Sequence, residues 1–266
     1  MKKLLRYTSW NWSMGWIPGT ALLSLGAVIE CVLLFAAAGM THNAWSSYDE
    51  LVSQSGILWV AAVVYMLLPL GTQLYQSWAG RRTASVYTTL TLPLPRWQIF
   101  AVRALSTAFW LIVGTVVQLL LLAILWGPVT ALQDSVAAGY FLFDITAQGR
   151  LWWDLADCSL FRLLLPTGGF GITVWLGLIL APALMSASVA SHSGRRQVIA
   201  GILALFDQAV FALLGISIAD GNTSIGQLEE ACSNPATLTA LAAMAAVVCV
   251  LSIWGLFALY RSEPAA

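Results

Sequence analysis

Six long apolar runs, separated by shorter polar segments, organise this chain. They lie at 17–40, 56–76, 104–127, 166–190, 198–219 and 237–260. A helix needs about 20 mainly apolar residues to cross a hydrocarbon core, so each run predicts one span. The chain therefore reads as all-α and polytopic, with six transmembrane helices. Ahead of the first run, residues 1–16 predict an interfacial helix. Lys2, Arg6, Ser9 and Ser13 form a narrow polar stripe at helical spacing, and Leu4, Leu5, Trp12 and Trp16 lie opposite. Such a helix lies along charged headgroups, with membrane lipid as its partner; a frayed basic tail that only sets orientation is the alternative. Ala36-Ala37-Ala38 has the small residues of a signal-peptide cleavage site. The apolar run before it exceeds the roughly 7–15 residues of a signal core, so the first span is expected to be retained.

Composition agrees with this pattern. Hydrophobic residues make up 59% of the chain and charged residues 9%, with a mean hydropathy of +0.82, whereas soluble domains carry about 25% charged residues. An ordinary soluble domain is excluded, and residues 1–266 read as a single membrane domain. Nucleic acid is not an expected partner.

Net charge is zero, yet the charges are sorted. Lys2, Lys3 and Arg6 precede the first span, and Arg81, Arg82, Arg96 and Arg103 lie between the second and third. Arg195 and Arg196 lie between the fourth and fifth, and Arg261 follows the sixth. If the spans alternate, all ten fall on one side and only Arg150 and Arg162 on the other. The opposite side carries Asp49, Glu50, Asp134, Asp144, Asp154, Asp157, Asp220, Glu229 and Glu230. Basic residues near span ends stay on the cytoplasmic side, so both termini are expected to be cytoplasmic. Tryptophans fit the two interfaces, with Trp10, Trp12, Trp16, Trp78 and Trp97 at the inner one and Trp45, Trp59, Trp126, Trp152 and Trp153 at the outer one.

Prolines and glycines refine the picture. Pro69 and Pro182 should bend spans two and four, because proline removes a backbone donor and crowds the preceding turn. Residues 77–103 form a basic cytoplasmic segment without an acid. Within it, Pro93-Leu94-Pro95 predicts a break, since the residue before a proline avoids the helical region and Pro95 suits the first turn of a new helix. The result is helix, break, helix, with arginines displayed as a docking surface for a soluble partner. Residues 128–165 are expected as the main outer loop, with a short amphipathic helix near Trp152-Trp153-Asp154. No inverted repeat or low-complexity tract is evident.

Two acids interrupt the apolar runs: Glu30 in the first and Asp207, beside Gln208, in the fifth. An acid at a helix centre costs about 2.5–3.5 kcal/mol on insertion scales. One reading is a polar pathway lined by Glu30, Gln118, Asp207 and Gln208. The other is a structural hydrogen bond between helices, to Gln118 or to a second copy of the chain. Cys158 and Cys232 fall in outer loops and are a candidate disulfide, while Cys31 and Cys249 read as small apolar residues. No CxxC or other metal spacing occurs, so no metal site is expected. Neither His42 nor His192 is spaced with other ligands. Ser191 and Ser193 lie at a span edge, and no span carries a histidine, which disfavours an intramembrane protease. No GxxxxGK[ST] phosphate loop is present, so no nucleotide cofactor is expected on this chain.

The stretch Tyr87-Thr88-Thr89-Leu90-Thr91-Leu92-Pro93-Leu94-Pro95-Arg96-Trp97-Gln98-Ile99-Phe100 resembles a segment of the type-2 class of ABC exporter permeases. In that family a Leu-Pro-aliphatic-Ser-Arg pattern leads into the third span. Leu92-Pro93-Leu94 and Arg96 match it, while Pro95 replaces the small cap residue. The resemblance implies a permease with no catalytic residues of its own, coupled to a separate ABC ATPase subunit that binds ATP and Mg. It also implies a second permease copy or homologue, coupling through Arg81, Arg82, Thr83, Tyr87, Pro93 and Arg96, and a multi-pass location in a plasma membrane of bacterial type. The cargo is left open between peptides, amphipathic drugs and other classes. The acidic outer face and two intramembrane acids would favour a cationic cargo, unless that acidity only follows topology. The alternative is a non-catalytic six-span substrate-binding or immunity protein, for which Trp152, Trp153, Asp154 and Asp157 are the motivating residues.

Overall fold

The computed structural model describes residues 9, 12, 15–40, 42, 46–82, 95–138, 151–165, 169–221 and 234–261. Among these, every regular element is helical. They form α1 (Trp16–Ala38), α2 (Tyr48–Gln54), α3 (Ile57–Arg82), α4 (Arg96–Ala138), α5 (Leu151–Asp157), α6 (Ser159–Leu164), α7 (Gly169–Ser191), α8 (Arg195–Gly221) and α9 (Pro235–Arg261). The six long helices overlie the six apolar runs. Among the described residues, four are long and apolar enough to cross a membrane: α1, α3 as far as Trp78, α4, and α9 from Leu238. A shorter apolar stretch, Trp175–Ser191, lies in α7. The chain is thus a multi-pass helical membrane protein. Of the expected interfacial helix at 1–16, all but a few isolated positions lie outside the described residues.

The end of the third span differs from expectation. Most of the described residues of 128–165, expected as a loop, are helical, because α4 continues through Pro128 to Ala138 and α5 and α6 come later in the range. At 43 residues, α4 is about 65 Å long at 1.5 Å per residue, roughly twice the hydrocarbon thickness, so it must project beyond a bilayer. The prolines inside α3, α4 and α7 are each followed within four residues by a hydroxyl that bonds back to the same turn. Thr72 donates to the Leu68 and Pro69 carbonyls, Thr130 to Trp126 and Gly127, and Ser186 to Ala183. Such bonds help re-satisfy a backbone that proline disturbs.

In lipid, helices associate through close packing and hydrogen bonds rather than through a hydrophobic drive, and the contacts reflect this. Helix α7 is central, packed against α3, α4, α8 and α9, while α1 packs on α3 and α4. A Cβ on Gly26 of α1 would lie 2.6 Å from Val64 Cγ2 of α3, and one on Gly255 of α9 would lie 2.7 Å from the Ser188 Cα of α7. Both glycines therefore mark close helix crossings. Gly19 likewise leaves room for the fully buried Trp110 ring, on which Trp12 stacks at 5.6 Å. Trp12 is thus a packing residue, whereas Trp16 remains exposed.

The end of the bundle opposite Arg96 and Arg103 is closed by α2, α5 and α6. Tyr48, Leu51, Val52, Leu155, Cys158 and Leu160 form one buried cluster with Leu34, Leu122 and Val129 of the long helices. Side-chain bonds pin it: Tyr48 donates its hydroxyl to the Leu122 carbonyl at 2.8 Å, and Trp126 donates its indole N–H to Asp154 at 2.9 Å. Asp49 accepts the Ser159 backbone N–H at 2.6 Å, so a carboxylate from α2 occupies the first turn of α6.

Candidate functional site

Halfway along α1, Glu30 is 1% exposed. Gln118 of α4 donates its side-chain N–H to Glu30 Oε2 at 2.6 Å, and Glu30 Oε1 has no hydrogen-bond partner among the described residues. Three residues before Gln118, Thr115 meets the Tyr65 hydroxyl of α3 in a short hydrogen bond. The Thr115 proton is directed to the Leu111 carbonyl, so Tyr65 is the donor to Thr115. An acid, an amide and two hydroxyls from three helices thus make a polar layer inside an apolar bundle. Asp207 and Gln208 are also buried, midway along α8, and the Gln208 side-chain amide has no partner among the described residues. They belong to a different part of the packing: α8 lies on α7, α9 and α3, whereas Glu30 is held at the contact of α1 with α4.

At the arginine-rich end, the start of α4 is tied to three other helices. Arg96 donates Nη1 to the Leu259 carbonyl of α9 at 2.9 Å. Arg103 donates Nη1 to the Ala190 carbonyl of α7 at 3.1 Å and to Ser191 Oγ at 3.3 Å. From α3, Gln73 donates Nε2 to the Arg103 carbonyl at 3.2 Å and to Thr107 Oγ1 at 2.8 Å. Both arginines reach the last turns of helices, where carbonyls lack intrahelical donors and the dipole is negative. Arg96 is therefore turned toward the bundle and only partly exposed. Arg81 and Arg82 occupy the last turn of α3, while Thr83, Tyr87 and Pro93 lie outside the described residues. Nearby, His192 is buried against Trp254 with ring centroids 4.2 Å apart. Its Nδ1 lies 2.8 Å from the Ser188 carbonyl; a carbonyl only accepts, so Nδ1 carries the proton.

Cys158 is a free, fully buried cysteine, and Cys232, its candidate partner, lies outside the described residues. Burial pushes the Cys158 thiol up to about 11, opposed by the Phe161 backbone N–H. The Tyr48 hydroxyl is raised as well, by burial first and by the neighbouring Cys158 second. Trp152 and Trp153, on α5, are exposed, while Asp154 between them and Leu155 turns inward to Trp126. Among the described residues no group of three or more His, Cys, Asp and Glu converges as metal ligands would.

Sequence reasoning singled out Glu30, Gln118, Asp207, Gln208 and Arg96. It did not assign Arg103 or Gln73 their links between helices, nor single out Tyr65 and Thr115. Tyr65 and Thr115 carry a weak signal, as polar residues inside apolar runs. The acceptors of Arg96 and Arg103 are mainly backbone carbonyls, which leave no trace in side-chain chemistry. Comparison with models of known protein families, with curated proteins and with solved structures finds no match to this chain.

Proposed function

We propose that this chain is the permease subunit of an ATP-driven exporter. It would cross the membrane six times with both termini cytoplasmic, pair with a second permease, and rely on a separate ABC ATPase. The observation that carries this reading is what the basic segment joins in the chain. Residues 81–94 lead from the end of α3 into a helix whose first turns hold α7 and α9. A force applied there by a soluble partner would reach several spans, as coupling requires. The polar layer of Glu30, Gln118, Tyr65 and Thr115 supports a translocation role, because polar groups inside spans mark pathways or helix contacts. A cargo with a cationic group, such as a peptide or amphipathic drug, suits a buried carboxylate with an uncommitted oxygen.

The test is purification of the tagged chain from its own membranes. The reading expects a second polypeptide with a phosphate loop and ATP hydrolysis in the purified complex. The double substitution Arg81→Glu and Arg82→Glu should release that polypeptide without reducing membrane insertion. Arg96 is a poor choice for this test, because its link to Leu259 would be broken as well. Purification of an intact chain with no ATPase would reject the reading. It would favour a binding protein that uses the exposed Trp152 and Trp153 surface.

A further inference from the structure

The links around the start of α4 form a connected set. Arg96 and Arg103 are seven residues apart, two turns of helix, and so lie on one face. On that face, Phe100 between them and Ala104 just beyond Arg103 pack with Ala187 of α7 and Leu259 of α9 in a buried cluster. The polar contacts therefore surround an apolar joint among three helices. The partners are joined to each other too. Ser188 of α7 donates its hydroxyl to the Leu251 carbonyl of α9, one turn from the close crossing at Gly255. The Ser191 hydroxyl donates to the Ala187 carbonyl at 2.7 Å, which leaves its lone pairs for Arg103.

We propose that Arg96 and Arg103 are positioning residues that lock the start of α4 to the ends of α7 and α9, so that a displacement arriving through residues 83–94 moves the three helices as one body. The source of that displacement rests on the permease reading; the lock itself does not. A guanidinium suits this task because it stays charged and offers several donors in a fixed plane, whereas an ammonium is a point charge on a flexible stem. The lysine variants keep the charge near the same carbonyls, and the alanine variants remove it.

Two measurements test the lock. In a variant lacking the four cysteines, nitroxides replace the exposed Trp97 of α4 and Tyr260 of α9, neighbours of the linked pair Arg96 and Leu259. In lipid nanodiscs, dipolar broadening between the labels should be strong, lost in Arg96→Ala, and largely kept in Arg96→Lys. Broadening unchanged by Arg96→Ala, or absent without it, overturns the lock. In complexes with the ATPase, Arg96→Lys and Arg103→Lys should bind as much ATPase as the native chain but give less permease-dependent stimulation of hydrolysis. Loss of ATPase binding in the lysine variants would make the arginines docking groups and overturn the positioning role. If no ATPase binds even the native chain, the permease reading fails, and the nitroxide result still decides the lock.

Discussion

Gln118 holds Glu30 across the contact between α4 and α1, with 2.6 Å between the amide nitrogen and the carboxylate oxygen. Removing the amide leaves a carboxyl at 1% exposure without its donor, which costs about 1–3 kcal/mol. Gln118→Leu should therefore lower the unfolding midpoint in detergent micelles clearly, and Glu30→Leu with Gln118→Leu should recover part of the loss. A double-mutant cycle measures the coupling, expected at about 0.5–3 kcal/mol. Strictly additive effects would show that the bond contributes nothing.

The two close crossings should respond differently to the same methyl group. In Gly255→Ala the new carbon meets the Ser188 backbone and hydroxyl, whereas in Gly26→Ala it meets only the Val64 side chain. A valine methyl can rotate away and backbone cannot. Gly255→Ala should cost about 1–3 kcal/mol, in the range of overpacked cores, and Gly26→Ala less. Thermal unfolding of the two variants checks this, and the reverse order would contradict the α7–α9 crossing.

Asp49 acts as a cap from another helix on the first N–H of α6. Asp49→Ala should cost about 0.5–2 kcal/mol, the range for losing a helix cap, while Asp49→Asn keeps the acceptor oxygen and should cost less. Maleimide labelling of Cys158, which is fully buried beneath this contact, gives the readout. It should be slow in the native chain, faster in Asp49→Ala and intermediate in Asp49→Asn. Fast labelling of native Cys158 would show that the three-helix cap is not packed as described.

The Cys158 thiol also sets a pH window. Its ordinary value of 9.0 rises to about 11 in the folded chain. Between those values the unfolded chain has lost the proton and the folded chain retains it, so folding binds protons and stability falls as pH rises. Below pH 9 the thiol is neutral in both states and its effect is constant. Denaturation in micelles from pH 7 to 11 should show a steeper alkaline loss for the native chain than for Cys158→Ala. Parallel curves would place Cys158 in a wetter site.

The long helices were legible because each is announced by an apolar run of membrane length, and the ends of α1, α7, α8 and α9 lie within about three residues of those runs. Glu30 and Asp207 were legible because an acid stands out in such a run. Gln118 was legible as a partner by its polarity alone, although nothing in the sequence reports its distance from Glu30. The extension of α4 past Pro128 was not, since a proline normally argues for a stop and the compensating Thr130 bonds to carbonyls of its own turn. The inward turn of Arg96 was hidden for a similar reason. A basic residue beside a span end looks like a displayed charge until the end of another helix is placed against it.

In the proposed function, a soluble motor drives these helices through the segment between α3 and α4. ATP hydrolysis by the complex purified through this chain tests that most directly. Hydrolysis should co-purify with the native chain and disappear together with the partner subunit in Arg81→Glu/Arg82→Glu, while the amount of inserted chain is unchanged. A pure, stable chain that brings no hydrolysis with it, or a complex indifferent to that reversal, would contradict it.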